Sequence, residues 1–381
     1  MNKRNILLLW GIALLQGMVF YAPVATLYRQ AAGLGIFHIT VIESISLWLM
    51  LMLEIPWGWA ADRIGYRKTM LICCFLYVLS KIVFWRAEGF FGFLLERLLL
   101  SVVCSGLSGV DAGLLYLSCR EEDSHRAFSI YENLGQAGIL AAAGCHALWI
   151  GKNYRLAAFL TILSYGAAAL LSLGLQEISP EQGKRNSADP EQMLSVLKGQ
   201  LGNPEMLLLL LAVGFLNESH QTITVFLSQL QYVKAGMNHQ EISLAYILTS
   251  LIALTGGFSA VLCRKTGAKA MGTGLMLLAA MSCLLLGLFP LPFLSVLAVV
   301  FLRLSFSLMQ PLQMNLQNKQ ITGRDRATAL SMNAVVMESL GIFLNLIFGR
   351  LADLRLNLAM FLGAVLCGIG AVLYRLSLSK A

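Results

Sequence analysis

Charged residues are scarce in this 381-residue chain. Asp, Glu, Lys and Arg together make up 13% of it, whereas soluble domains carry roughly 25% charged residues. Hydrophobic residues make up 57%, and apolar runs recur along the whole length. This composition excludes a string of soluble domains and predicts a membrane protein whose surface faces lipid over much of its area.

The motifs of several enzyme classes are also missing. The sequence contains no G-x-x-x-x-G-K-[ST] phosphate loop and no H-E-x-x-H zinc motif. Its eight cysteines include no C-x-x-C pairs at metal spacing, and no nucleophile with an adjacent base can be recognised. We therefore expect no enzyme activity, no cofactor and no metal, with most cysteines acting as small core residues.

What the chain does contain is a series of long apolar segments. A transmembrane helix needs about 20 mostly apolar residues, and twelve such segments are predicted, numbered 1 to 12 in chain order. They cover residues 5–27, 40–61, 69–87, 90–117, 127–149, 154–176, 205–232, 240–262, 270–289, 292–318, 327–349 and 355–376. The predicted fold class is an all-α membrane protein with twelve transmembrane helices in two six-helix bundles.

One connection is much longer than the others and separates the two predicted bundles. Residues 177–204 are polar and contain several Pro and Gly residues, a composition typical of a linker. The predicted domains are therefore an N-terminal bundle at 1–178, a cytoplasmic linker at 179–203 and a C-terminal bundle at 204–381.

Short sequence matches relate the two halves at a constant offset. Gly65 in "DRIGYRK" corresponds to Gly267 in "RKTGAKA", and the distance between them is 202 residues. The same offset relates "AFSI" to "ALSM" and "AAFL" to "AMFL". Each match is weak alone, but the shared offset predicts a duplicated six-helix unit.

The distribution of Lys and Arg predicts the orientation in the membrane. With both termini in the cytoplasm, inner segments hold eighteen of these cations and outer loops hold seven, Arg29 among them. Positive loops stay on the cytoplasmic side during insertion. We expect a multi-pass protein of a bacterial plasma (inner) membrane, and its net charge of +8 requires no nucleic acid partner.

The loop between segments 2 and 3 carries a family signature. Residues 54–70 read "EIPWGWAADRIGYRKTM", and the motif G-x-[L/A]-A-D-[R/K]-x-G-[R/K]-[R/K] is matched here except at Tyr66. With this motif, with "SGVDAGLLY" at 108–116 and with Arg126 and Arg326 opening segments 5 and 11, the chain resembles the major facilitator superfamily. The matching residues are Gly58, Ala60, Ala61, Asp62, Arg63, Gly65 and Arg67, and Lys68 adds a further cation directly after them.

The resemblance implies that this loop is a conformational latch. In the family, the loop is thought to hold the two halves together on the cytoplasmic side while the protein is open outward. Asp111 resembles the acid that engages the cations of the loop. The alternative is an ordinary solvated loop whose positive charge only sets the orientation. The residues assigned to the latch are Gly58, Asp62, Arg63, Gly65, Arg67, Lys68 and Asp111.

Polar residues recur at helical spacing on segments 4, 7 and 10, and more sparsely on segment 1. In the family these four helices surround the central cavity. Ser and Thr can instead join helices by hydrogen bonds, and Arg97 can extend to the membrane interface. The predicted cavity residues are Gln16, Tyr21, Arg97, Asn217, Gln221, Thr224, Arg303 and Gln310.

Three carboxyl groups are candidates for proton coupling. Glu218 and Glu338 lie near the middles of segments 7 and 11, and Glu132 lies inside segment 5. A carboxyl group in a medium of low dielectric binds protons more readily. Each could instead be a neutral hydrogen-bonding acid or the partner of a buried Arg. His220 could titrate as well, although a lone helical histidine is more often structural.

The sequence thus predicts a secondary active transporter that moves a small solute by alternating access, coupled to protons. The family resemblance slightly favours efflux, because helix 5 of its drug/proton antiporters carries a glycine pattern of which segment 5 has Gly135, Gly138 and Gly144 but not the Gly-Pro. One alternative is an uptake permease for an organic anion or polar metabolite. Another is a non-transporting sensor or scaffold on the same fold. The expected partners are the solute, protons and the lipid bilayer, with the protein as a monomer.

Overall fold

The computed structural model describes residues 2–178, 198–200, 202–321 and 326–379. The regular secondary structure of these residues is helical throughout. Most of the predicted linker at 179–203 lies outside the described residues.

Twelve helical stretches follow one another along the described chain, so the predicted all-α fold is confirmed. Eleven of them contain stretches long and apolar enough to cross a membrane, and α5, which begins with four charged residues among its first six, is not one of these. The stretches are α1 (Lys3–Ala31), α2 (Ile36–Ile64), α3 (Tyr66–Arg86), α4 (Gly89–Ser118), α5 (Glu121–Cys145), α6 (Tyr154–Leu173), α7 (Pro204–Lys234), α8 (His239–Thr266), α9 (Ala268–Leu288), α10 (Pro292–Gln320), α11 (Arg326–Leu354) and α12 (Leu356–Ser377).

Four of these stretches are interrupted, which the apolar pattern does not predict. The regular part of α1 ends at Gly17 and resumes at Ala25. In α4, Gly109 has a φ of 78°, a value that disrupts a right-handed helix and that glycine adopts without steric cost. Inside α7 and α8 the interruptions are a π-helical turn at Thr222–Leu227 and a 3₁₀ segment at Ala253–Phe258.

The chain divides into two compact units. Unit 1 comprises Met1–Lys184 and the short stretch His239–Ile247. Its core includes Leu9 and Ile12 of α1, Met70 of α3 and Leu114 of α4. Glycines bring α1 and α5 close together, since a Cβ atom on Gly138 would lie 2.2 Å from a carbonyl oxygen of α1. This contact fixes the helices that carry several predicted site residues.

Unit 2 comprises Arg185–Asn238 and Leu248–Ala381. Its helices α9 and α12 pack closely because Gly272 leaves room for the ring of Tyr374. The hydroxyl of Tyr374 donates to the carbonyl oxygen of Ala268 at 2.9 Å. One turn before Tyr374 in α12, Gly370 packs against the backbone of α7 at Ala212. The result is a rigid support for α7.

Helix bounds in the two units repeat at the offset seen in the sequence. Shifting α3 by 202 residues gives 268–288, which are the bounds of α9. The glycines before these two helices also match: Gly65 has φ 94° and ψ 151°, and Gly267 has φ 79° and ψ 150°. Glycine is almost the only residue found in this backbone region. The prediction of a duplicated unit gains support from these matching bounds and dihedral angles.

Candidate functional site

The loop predicted to be a latch is a one-residue turn at Gly65 between α2 and α3. A carboxylate from beyond the end of α6 lies against this turn, because Glu177 accepts the backbone N–H of Arg67 at 3.3 Å. The start of a helix carries partial positive charge and unpaired N–H groups, so a carboxylate is stabilised there. A Cβ atom on Gly65 would lie 2.9 Å from either carboxylate oxygen of Glu177. The turn therefore needs glycine both for its φ angle and for this contact.

The other residues assigned to the latch take different positions. Arg63 and Lys68 are exposed, and Arg67 is half-buried. Asp111 in α4 accepts the hydroxyl of Tyr131 at 2.9 Å and so links α4 to α5. Gly58 and the side chain of Asp62 lie outside what the structure describes. The latch remains a prediction for these residues.

Unit 1 contains two pairs of opposite charge that connect α4 to α2 and to α1. The Nε atom of Arg97 donates to Oε2 of Glu43 at 2.7 Å, and its Nη2 atom contacts the same oxygen. The second pair joins Arg29 to Glu96, with 3.7 Å between Nη2 and Oε2. Glu96 is 1% exposed, and its Oε2 has no hydrogen-bond partner in the described part of the chain. The Arg97 pair is thus held by hydrogen bonding, whereas the Arg29 pair is looser.

A buried lysine lies near these pairs in a cage of three tyrosines. Lys81 of α3 donates from Nζ to the hydroxyl of Tyr21 at 3.1 Å. Its ammonium group also lies 5.1 Å from the ring centroid of Tyr165 and 5.2 Å from that of Tyr77. Aromatic faces stabilise a desolvated cation. Tyr21, predicted to line the cavity, is 6% exposed and stacks on Phe84 with the centroids 4.1 Å apart.

Two other predicted residues of unit 1, Gln16 and Glu132, are not members of the two charge pairs described above. Gln16 of α1 donates from Nε2 to the sulfur of Cys74 at 3.6 Å. Glu132 of α5 is exposed. Neither residue lies in a described hydrogen bond with the charged groups of α2 or α4.

In unit 2 the predicted cavity residues of α7 and α10 differ in exposure. Asn217 and Thr224 are half-buried and Gln221 is exposed. Gln310 accepts a hydrogen bond from the amide of Gln313 one turn further along α10, at 3.0 Å. A solute-facing polar side on each of the two helices stays a prediction from the spacing of these residues.

Arg303 of α10 contacts a histidine of α7. One of its guanidinium nitrogens, Nη1, lies 3.1 Å from Nε2 of His220. The imidazole ring of His220 stacks on the ring of Phe306 with the centroids 3.9 Å apart and the planes 4° from parallel. His220 is 1% exposed, so this contact lies in the interior of unit 2.

The pattern of hydrogen bonds around Glu218 depends on whether its carboxyl group is protonated. The hydroxyl of Thr222 lies 2.5 Å from Oε1 of Glu218 and 3.0 Å from Oδ1 of Asn345. One hydroxyl hydrogen serves one acceptor well. Both contacts are satisfied if Glu218 is protonated and donates to Thr222, or if the amide of Asn345 is turned so that it donates. Glu338, the second candidate acid, is half-buried on α11.

The polar spacing on segments 1, 4, 7 and 10 does not indicate several charged residues that the structure places in the buried clusters of unit 1. Glu43 and Lys81 lie on α2 and α3, outside those segments, yet a charged residue inside a transmembrane segment is itself a signal of function. Glu96 directly precedes Arg97 and was overlooked beside it. Arg29 was counted with the outer loops, but it lies within α1 and is buried.

Comparison with known proteins identifies the class. The profile of the Major Facilitator Superfamily matches residues 7–345, so the chain belongs to this superfamily. A search of curated proteins gave no match. The chain is a membrane transporter and not an enzyme.

Solved structures share the fold at low sequence identity. A mutant of the nucleoside transporter NupG is 15% identical, with a TM-score of 0.84 over 98% of this chain and 99% of that one. A bacterial homolog of the human lysosomal transporter Spinster is 15% identical, with a TM-score of 0.77 over 99% and 97%. A D-xylose-proton symporter is 14% identical, with a TM-score of 0.74 over 97% and 96%.

Proposed function

We propose that this chain moves a small solute across the membrane by alternating access and uses the proton gradient to do so. The observation that carries the coupling is the carboxyl group of Glu218, which is 4% exposed in the middle of α7 and hydrogen-bonded to Thr222. An ionised carboxylate at this depth is costly, whereas a protonated one is not. Glu338 and Glu132 are the alternative proton sites, and both are less buried.

The polar faces of α1, α4, α7 and α10 are the proposed solute site. The family resemblance assigns these helices to the central cavity, and the chemistry there suits an organic anion, a polar metabolite or an amphipathic drug. The names of two structural neighbours, a nucleoside transporter and a D-xylose-proton symporter, support a polar metabolite and proton coupling. The latch at Gly65 and the cations beside it are proposed to control the opening of the cytoplasmic side.

Efflux is the direction that the glycines of α5 favour. Uptake of an organic anion is the second candidate, and the guanidinium of Arg303 beside His220 favours it because an arginine can bind an oxyanion through two parallel hydrogen bonds. We propose a monomer in a bacterial plasma (inner) membrane with both termini in the cytoplasm.

A non-transporting sensor on the same fold is the alternative from another class. A sensor would bind its ligand without moving it, so purified protein would be stabilised by ligand but would not carry it into vesicles. A thermal-shift screen of organic anions, nucleosides and sugars finds the ligand, because a compound that binds the folded state raises its stability.

Proteoliposomes then test the function. We expect the compound that stabilises the protein to accumulate on one side when a pH gradient is imposed, in the direction that the gradient sets. Binding without movement would identify a sensor. If the solute equilibrates across the membrane at a rate and to a level that do not depend on the pH gradient, the protein is a transporter without proton coupling.

A further inference from the structure

Lys81 of α3 is a buried cation without a matching carboxylate. It is 4% exposed, and within the described ranges it contacts one tyrosine hydroxyl and three tyrosine rings but no acid. The four charged residues near it form two pairs of opposite sign, Arg29 with Glu96 and Arg97 with Glu43. With every group ionised, these five residues carry three positive and two negative charges, which leaves a net charge of +1 in the interior of unit 1. A buried charge without a partner is costly.

The same site has more hydrogen-bond donors than acceptors. Lys81 carries three ammonium hydrogens, of which one is donated to the hydroxyl oxygen of Tyr21 at 3.1 Å. In the part of the chain that the structure describes, no acceptor is hydrogen-bonded to the other two or to the hydroxyl hydrogen of Tyr21. The hydroxyl of Tyr165 is already used, because it donates to the carbonyl oxygen of Gln16 at 2.7 Å. Three donors in one buried site therefore lack an acceptor.

The equivalent place in unit 2 indicates that the fold does not need this lysine. Three residues of the site have counterparts at the offset of 202 residues, which pair Lys81 with Cys283, Tyr165 with Cys367 and Tyr21 with Ile223. The three counterparts are fully buried, and none of them carries a charge. Unit 2 thus packs the equivalent helices with small or apolar side chains. A charged residue that packing does not require, inside a transmembrane segment, is a signal of function.

A cavity of about 640 Å³ in unit 1 borders the same group of aromatic rings. Tyr28 is part of its lining. The ring of Tyr28 packs edge-on against Phe84, with 4.9 Å between the centroids, and Phe84 stacks on Tyr21. Two rings therefore connect the lining of the cavity to the tyrosine that holds Lys81.

We propose that Lys81 and Tyr21 form a carboxylate-binding site in unit 1 and that the solute is an organic anion with one carboxylate, which binds there. One negative charge balances the net charge of +1, and the two oxygens accept from the ammonium group and from the hydroxyl of Tyr21. A phosphate group, with about 1.5 to 2 negative charges near pH 7, exceeds this balance. Arg97 does not compete for the carboxylate, because Glu43 already accepts from it. This inference rests on the proposed function, since it names the class of solute that the transporter carries.

Calorimetric titration of the purified full chain in detergent tests the proposal. The probes are benzoate and hexanoate, and benzamide and hexanamide are their uncharged counterparts. We expect at least one carboxylate to bind about tenfold or more tightly than its amide, because hydrogen bonds to a charged group are stronger than those between neutral groups. If neither carboxylate binds, or if each amide binds as tightly as its carboxylate, the proposal is wrong.

Two variants remove the two parts of the site. Met in Lys81→Met keeps an unbranched side chain without the charge, so the preference for the carboxylate over the amide should disappear. Tyr21→Phe keeps the ring that stacks on Phe84 but removes a donor, so carboxylate binding should weaken by about tenfold.

Each variant has a matched control. Tyr165→Phe removes a hydroxyl from the same cage, but that hydroxyl donates to Gln16, so carboxylate binding should equal that of the wild type. Arg86→Met removes an exposed cation at the end of the same helix and should also bind like the wild type. Binding that is lost equally in Lys81→Met and Arg86→Met would indicate general attraction to positive charge and would overturn the site.

Two further results would contradict the proposal. One is carboxylate binding in Lys81→Met that is as strong as in the wild type, and the other is an equal effect of Tyr21→Phe and Tyr165→Phe. If Lys81→Met does not fold, the comparison of the two tyrosine variants decides. Failure of the proposed function has a different result, in which a carboxylate binds in a way that depends on Lys81 but proteoliposomes do not carry it.

Discussion

Arg97 of α4 donates from Nε to Oε2 of Glu43 of α2 at 2.7 Å, and this carboxylate is 7% exposed. The positive charge that the sequence assigns to the cavity therefore has a built-in counter-ion. A solute anion can bind Arg97 only by sharing it with Glu43 or by displacing it. Removing one partner leaves a buried charge uncompensated.

We predict that Arg97→Gln and Glu43→Gln each lower the free energy of unfolding by about 3–5 kcal/mol, the cost of leaving a buried charge unpaired. The double variant has no unpaired charge, so it should melt at a higher temperature than either single variant. Melting of purified protein in detergent measures all three.

Arg155→Gln is the control for the charge pair. Arg155 pairs with Glu88 at 3.1 Å, but their side chains are 63% and 78% exposed. Exposed pairs contribute little, so this variant should melt like the wild type. If the double variant of Arg97 and Glu43 were less stable than both single variants, the unpaired buried charge in the single variants would not be the cause of their lower stability.

The matching glycines of the two units offer a second test. We predict that Gly65→Ala and Gly267→Ala each cost about 1–3 kcal/mol, because both positions have a backbone conformation that only glycine adopts readily. Gly65→Ala should cost more, since its Cβ atom also meets the carboxylate of Glu177. Nothing lies within 4 Å of a Cβ atom at Gly267. Thermal melting compares the two.

The variant Glu177→Ala separates the cost of the backbone conformation at residue 65 from the cost of the contact between its Cβ atom and the carboxylate of Glu177. In that background the two glycine variants should have equal effects, because the carboxylate no longer lies against residue 65. Gly274→Ala, in the interior of α9 with no atom within 4 Å of the added carbon, should leave the melting temperature unchanged or raise it slightly. A larger loss for Gly267→Ala than for Gly65→Ala would contradict the role given to Glu177.

The all-α membrane fold could be predicted from the sequence because each segment inserts into the membrane according to its own composition. A helix that crosses the hydrocarbon must be apolar for about 20 residues, so the twelve segments could be recognised one by one. The interruptions of α4 and α7 could not be predicted in this way, since Gly109 and the π-helical turn at Thr222–Leu227 involve no loss of hydrophobicity.

The charge pairs could not be predicted because they join residues far apart in the sequence. Glu43 and Arg97 are on different helices, and only their packing shows that they meet. The spacing of polar residues on α10 predicts Arg303 as a cavity residue, which stays a prediction, and it gives no indication of the contact with His220. His220 was treated as structural because a single histidine gives no indication of which side chain faces it.

The predicted latch gives a third test. We predict that Asp62→Asn impairs transport without preventing membrane insertion, because the amide has no charge with which to hold the cytoplasmic ends of the helices. The expectation comes from the match of residues 58–68 to the family motif. Uptake into proteoliposomes, at equal amounts of protein, is the measurement. Lys3→Gln removes a charge outside the motif and should transport normally, and normal transport by Asp62→Asn would remove the basis for the latch.

Coupling by Glu218 gives the last test. Gln in Glu218→Gln keeps an acceptor for Thr222 but cannot release a proton, so it imitates the protonated acid. We predict that the variant still exchanges solute across the membrane but no longer accumulates it against a gradient. Glu88→Gln, whose side chain is 78% exposed, should accumulate solute as the wild type does. The measurement is solute uptake into proteoliposomes with and without an imposed pH gradient, at equal protein content.

If uptake by the Glu218→Gln protein is still driven by that gradient, Glu218 does not carry the coupling proton. The same experiment on Glu338→Gln then decides whether the half-buried acid of α11 does. If the variant fails to fold, which melting in detergent reveals beforehand, Glu218→Asp keeps the ionisable group and should recover both folding and coupling in part.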